Sequence, residues 1–110
     1  MYIQPHETKI ISTGIAVSIP DNYWGGIYAR SGKSIKEGIR PGNCVGVIDP
    51  DYRGEILVAA HNDSYHIRTV EPGERIAQFI LTERILCDWE EVKELNDTDR
   101  GDGGFGSTGK

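Results

Sequence analysis

The run Gly46-Val47-Ile48-Asp49-Pro50-Asp51-Tyr52-Arg53-Gly54-Glu55 joins an apolar stretch to a carboxylate, a rigid turn and a phenol. A carboxylate at a strand end beside an apolar core is partly desolvated, which suits a general base. The same aspartates also read as ordinary turn formers in a Pro-containing hairpin. Ala29-Arg30-Ser31-Gly32-Lys33-Ser34 offers a cation, a hydroxyl and a glycine in succession. Arg forks onto phosphate oxygens and Ser donates one more bond, although Arg-Ser-Gly is also a common turn. Pro72-Gly73-Glu74-Arg75-Ile76-Ala77-Gln78-Phe79-Ile80 enters an apolar strand carrying one inward-capable polar residue, Gln78. Gln78 either meets a ligand or satisfies a neighbouring backbone group. Near the C-terminus, Arg100, Phe105, Ser107 and Thr108 lie among glycines, the make-up of a flap closing on a phosphate-bearing ligand. The closing Gly104 to Lys110 stretch superficially matches half of a P-loop. No helix can follow Lys110, so the helix N-terminus that a P-loop needs is missing and that reading fails.

These residues need elements to hold them. Short alternating stretches at 8–12, 15–19, 24–30, 43–49, 55–60, 65–70, 75–81 and 89–95 read as strands, the last a charged edge strand. Turn residues separate them: Pro20-Asp21-Asn22, Pro41-Gly42, Asp49-Pro50-Asp51, Asn62-Asp63-Ser64 and Pro72-Gly73. Even spacing of this kind predicts an all-β sandwich or small barrel rather than βαβ units. Only residues 34–38 suit a helical turn, which Gly38 would end. The apolar alternation stops at Asn96. The chain therefore divides into a β domain, 1–95, and a Gly-rich arm, 96–110, which alone would read as a disordered tail.

The 110 residues make one domain with a thin stability margin that association would improve. A net charge of −5 argues against nucleic acid or an anionic membrane as partner, but leaves room for a small anionic ligand held by local cations. No apolar run reaches membrane-spanning length and no leader follows Met1, so the expected setting is cytoplasmic. Cys44 and Cys87 are expected to be reduced and largely buried. His6, His61 and His66 lack metal-ligand spacing and receive no role.

Taken together, the four segments Ala29-Arg30-Ser31-Gly32, Gly46 to Gly54, Gly73 to Gln78 and Arg100 to Gly109 closely resemble motifs two to five of the trimeric dUTPases. They stand in that family's order and at about its spacings. The resemblance implies a jelly-roll-like distorted β-barrel, a homotrimer with active sites at subunit interfaces, and a C-terminal arm covering a neighbour's site. It implies Mg²⁺-assisted hydrolysis of dUTP to dUMP and pyrophosphate. Asp49 would orient and deprotonate the attacking water, and Tyr52 would pack on the deoxyribose and exclude a 2′-hydroxyl. Asn43, six residues before Asp49, would read the uracil edge with the strand backbone around Val47. Mispaired polar groups in such a site give discrimination on the order of 10⁴. Arg30, Ser31, Gly32 and Gln78 match phosphate- or water-contacting positions. On the arm, Phe105 would stack on uracil, Arg100 would meet the γ-phosphate, and Gly106, Ser107 and Thr108 would contact the phosphates. No side chain would coordinate the metal directly, because Mg²⁺ would be held through phosphates and water.

The family's first motif, an apolar–Asp–apolar segment, has no match. Roughly 25–30 residues are expected to be missing ahead of Met1, with a mis-set start or a fragment as the favoured explanation and a natural truncation as the other. The rival functions are a non-catalytic nucleotide-binding module of the same fold and a dCTP deaminase.

Overall fold

A computed structural model describes residues 1–106. Its elements are β1 (Tyr2–Ile3), β2 (Thr8–Ser12), β3 (Tyr23–Ala29), α1 (Ser31–Glu37), β4 (Ile39–Pro41), β5 (Gly46–Ile48), β6 (Leu57–Asn62), β7 (Arg68–Thr69) and β8 (Ala77–Glu83). All pairings are antiparallel and make three small sheets, β2-β6-β4, β5-β3-β8 and β1-β7. The architecture is all-β, as the turn spacing predicts. Among the described residues the sheets do not close into a barrel.

The alternation on β6 explains how the sheets meet. Val58, Ala60 and Asn62 point inward while Leu57 stays exposed, the two-residue period of a strand with one wet face. Val58 joins Ile27 and Ile56 in one apolar cluster, with Ile48 and Ala77 against it. Ala60 joins Ile3, Ile39 and Val70 in a second. Asn62, fully buried, ties the second cluster together. Its Nδ2 donates to the Ile3 and His66 carbonyls (2.9 and 2.7 Å), and its Oδ1 accepts from the Ser64 amide and hydroxyl (2.9 and 2.7 Å).

Several local expectations change. The 15–19 stretch is not a strand. It follows Gly14 in the left-handed region (φ 72°) and keeps one ladder-like bond, from the Ile56 amide to the Ile15 carbonyl (2.8 Å). The helical turn is a full α1 of seven residues ended by Gly38 at φ 75°. The 89–95 segment forms no strand, and all of its residues are exposed. Both cysteines are free and exposed rather than largely buried. Cys44 sits in the tight turn before β5 at φ 67°, and Cys87 lies beyond the last strand.

The radius of gyration is 18.9 Å, well above the roughly 13 Å of a compact chain of this length. Residues 84–106 carry no helix or strand, and their Ile85, Leu86 and Trp89 side chains are exposed. No helix of the described residues is long and apolar enough to cross a membrane.

Replacing Asn62 by Ala would leave the buried Ile3 carbonyl, the His66 carbonyl and the Ser64 amide without this partner. We expect a loss of about 2–4 kcal/mol, read as a lowered urea midpoint with an unchanged slope. A loss within error of zero would mean that water takes over all three groups.

Candidate active site

Strand β3 positions both groups of residues singled out in the sequence, one at each end. Arg30 follows directly from its C-terminal residue Ala29 and serves as N-cap of α1, with an extended backbone. Around it, Ser31, Gly32, Lys33, Glu37, Glu74, Arg75 and Gln78 line an open cleft of about 530 Å³. A Cβ on Gly32 would meet nothing within 4 Å, so a ligand can approach the backbone there. Gln78, paired opposite Tyr28, donates its Nε2 to the Ala29 carbonyl (2.8 Å), which fixes the amide at the rim with its oxygen still available. Both alternatives for Gln78 thus hold at once: it satisfies a neighbouring backbone group and it lines the cleft.

Lys33 sets the charge of this cleft. It is buried and bonded to Glu74 and, at 3.1 Å, to Glu37. Burial works against its charge, but the two carboxylates more than offset that and hold the ammonium above its ordinary value. Glu74 is held below the usual carboxylate range, first by the Lys33 hydrogen bond and then by the Glu71 amide. Both carboxylates are therefore engaged. Arg30 and Arg75 form no ion pair with any described residue, so the cleft presents two guanidinium groups to an anion.

The other end of β3 faces β5. Gly25 pairs with Ile48 and Ile27 with Gly46, which sets Asp49, just past β5, level with Trp24. Val47, Ile48, Asp49, Tyr52, Glu55 and Leu57 line a smaller cleft of about 200 Å³. The Asp49 carbonyl accepts the Tyr52 amide (3.1 Å) across the Pro50 turn, leaving the Asp49 carboxylate exposed. The partial desolvation expected for it is absent within one chain. The Tyr52 hydroxyl donates to the Glu55 carbonyl (2.7 Å), which folds the ring over Gly54. A Cβ on Gly54 would lie 2.5 Å from that oxygen. Glu55 is bound in turn by Ser12 and by the Gly14 amide, and these bonds lower its pKa in that order. Asn43 is exposed in the turn before β5. Its Nδ2 would lie 3.3 Å from a Cβ on Gly46, so it leans over the start of the strand.

Register therefore separates the sites. Arg30 and the level of Asp49 are six residues apart along β3, about 20 Å at strand rise. Asn43, by contrast, belongs to the Arg30 end of β5. On the arm, Arg100 is folded onto its own turn, with its Nε donating to the Gly103 carbonyl (2.7 Å). Phe105 is fully exposed, Gly106 has φ 76°, and no residue of 96–106 lines either cleft. Ser107 and Thr108 lie outside the described residues. Reading the sequence missed Lys33, Glu74, Arg75 and Gly54. The first three were legible only as turn and strand residues, whereas Gly54 two positions after an aromatic was a signal for a ring folded over backbone.

A small all-β protein with a cationic cleft and a separate carboxylate–tyrosine cleft has the parts to handle an anionic ligand that also carries a ring. Residues 1–109 match the dUTPase family model. The deoxyuridine 5′-triphosphate nucleotidohydrolase of Acinetobacter baylyi is 48% identical over 109 residues, covering 98% of this chain and 73% of that one. That of Idiomarina loihiensis is 46% identical, covering 98% and 72%. A Staphylococcus bacteriophage 80alpha dUTPase variant solved with dUpNHpp superposes with a TM-score of 0.86 at 28% identity, over 100% of this chain and 80% of that one. The Streptococcus mutans dUTPase gives 0.74 at 26% identity, over 81% and 74%. The chain belongs to the dUTPase family.

The Lys33–Glu74 pair makes a signed pH prediction. Glu74 has a depressed folded pKa, so its contribution is complete above the ordinary value of 4.5 and is lost as pH falls through the folded one. Glu74→Gln should cost about 1–2 kcal/mol at neutral pH, with the gap to the parent closing in acid. A gap that stays constant in thermal melts as the pH is lowered would show that Glu74 acts by packing rather than charge.

Proposed function

We propose that this chain hydrolyses dUTP to dUMP and pyrophosphate, and that the working site is completed only in a homotrimer. The observation that carries this reading is the separation along β3. Groups suited to phosphate and groups suited to water activation stand about 20 Å apart in one chain, too far to serve one triphosphate. A second copy bringing its cationic end to the first copy's Asp49 end removes that difficulty. Exposed Phe79, Ile80 and Leu81 on β8, followed by Ile85, Leu86 and Trp89, supply apolar surface for such assembly. The extended 84–106 segment has the reach for a 96–110 arm to serve a neighbouring chain.

In this reading the triphosphate lies against Arg30, Ser31, the open backbone at Gly32 and the Gln78 amide oxygen. Asn43 and the backbone around Val47 read the uracil edge. Tyr52, locked by its bond to the Glu55 carbonyl, packs on the deoxyribose and leaves no space for a 2′-hydroxyl. Asp49 accepts a proton from water as its oxygen bonds to the α-phosphorus, and the bond to the bridging α–β oxygen breaks to release pyrophosphate. Closure by a neighbour would exclude water from an otherwise exposed carboxylate and strengthen every charge interaction there. Arg100, Phe105, Gly106, Ser107 and Thr108 belong to the closing arm, with Phe105 stacked on the base.

The metal in this reading is Mg²⁺. Neither cleft gathers three carboxylate or imidazole donors around one point among the described residues. That suits an ion which keeps several waters and is taken up with the substrate phosphates rather than caged by protein. When bound, it neutralises phosphate charge that the two free arginines alone leave uncompensated. Two free, exposed thiols fit a reducing, cytoplasmic setting.

The primary test is pyrophosphate release from dUTP with Mg²⁺ or chelator, with UTP, dTTP and dCTP as controls. Turnover of dUTP alone, abolished by chelator, is expected. Asp49→Asn should remove turnover while leaving binding of a non-hydrolysable dUTP analogue nearly intact, and retained turnover would sink the assigned role. Deleting residues 100–110 should lower turnover by several tenfold steps, each about 1.4 kcal/mol of barrier. Unchanged activity would reduce the arm to a tail.

A further inference from the structure

The three histidines carry no spacing signal, yet the pairing of β2 with β6 brings two of them together with an aspartate. Ligand atoms of His6, His61 and Asp63 all lie within 4.8 Å of one another. None of the three lines either cleft described above. We infer that His6, His61 and Asp63 form a second, independent metal site that takes a borderline divalent ion of the Zn²⁺ type.

The geometry of each donor supports this. His61 stands on β6 opposite Thr8, whose hydroxyl oxygen is 2.8 Å from its Nδ1. That contact fixes the ring and aims Nε2 at Asp63 Oδ1, 3.3 Å away. Two ligands held about 2.0–2.1 Å from a tetrahedral zinc are themselves about 3.3–3.4 Å apart, so this pair already spans one edge of the polyhedron. A polar group holding the far nitrogen of a ligating imidazole is the usual outer support of such sites. The other oxygen of Asp63 accepts from Arg40 Nε (2.6 Å), which leaves Oδ1 free for a metal.

His6 completes the face. Its backbone is in the left-handed region at φ 62°, unusual for a residue with a Cβ. The conformation is held by its amide, which donates to the Asn62 carbonyl (2.7 Å), and by its ring, which stands edge-on to Tyr65 at 5.4 Å. The widest donor separation exceeds a tetrahedral edge by at most about 1.5 Å, a gap that rotation of the exposed His6 ring can close. Two imidazoles and one carboxylate favour Zn²⁺ and its neighbours over Mg²⁺, which demands oxygen ligands. Water fills the fourth position. The Arg40 guanidinium offsets the carboxylate charge, which weakens the site relative to one with an unpaired carboxylate. Binding would clamp the turn before β2 to the end of β6, on the same strand end as the buried Asn62.

The test uses the full chain without nucleotide, in a Cys44→Ser/Cys87→Ser background, because exposed thiols are rival zinc ligands. Calorimetric titration with Zn²⁺ should give one ion per chain and a raised melting temperature, while Mg²⁺ gives neither. His6→Gln and His61→Gln should each weaken Zn²⁺ binding by more than about tenfold. His6 is exposed, so its variant should still fold as judged by circular dichroism. No saturable Zn²⁺ binding in the cysteine-free background, or binding unchanged in both histidine variants, would overturn the inference. Neither result bears on dUTP hydrolysis, which uses other residues.

Discussion

The Asn62 side chain is the interaction on which most of this small fold depends. Among the described residues the buried aliphatic core is only eight side chains, too few to specify by itself how three short sheets meet. One amide bonded to the Ile3 carbonyl of β1 and to Ser64 and the His66 carbonyl of the following turn holds the N-terminal strand against β6. A fully satisfied buried polar group contributes modest net stability, but any alternative arrangement leaves its partners unpaired. The β1–β7 pairing and the second apolar cluster both rest on that restriction.

The charge of the chain and the charge of its cationic cleft have opposite signs. A chain of net charge −5 presents two arginines without an ion pair among the described residues, while Glu37 and Glu74, the acids lining the same cleft, are both occupied by the buried Lys33. Lys33 thus serves the anion site from its lining, by occupying the two carboxylates that share the cleft. Its loss would release two carboxylates beside Arg30 and Arg75. The same economy appears in the smaller cleft, where Glu55 is bound by Ser12 and Gly14 and leaves Asp49 as the free carboxylate.

Family membership and geometry fit each other through what one chain lacks. Neither cleft is enclosed, the proposed base is exposed, and the apolar residues of β8 and the following segment lack cover. The proposed homotrimer would supply that cover. The chain spans 73% of the Acinetobacter baylyi relative, and the described sheets remain open.

By itself the sequence determined the all-β class, the order of the turns and the identity of the Arg30, Asp49, Tyr52 and Gln78 segments. Those signals are local: two-residue alternation, Pro/Gly/Asn/Asp punctuation, and short runs whose residue types carry their own chemistry. Strand 8–12 forms where the sequence places it, because all five residues find partners on the longer β6. Segment 89–95, with Trp89, Val92 and Leu95 three apart, has no two-residue alternation to hold a strand and forms none. The burial of Lys33, the exposure of both cysteines and the meeting of His6 with His61 were decided only by tertiary structure. So was the distance between Arg30 and Asp49. Each depends on the register of strands far apart in sequence, and register is set by packing across the sheets rather than by any neighbour along the chain.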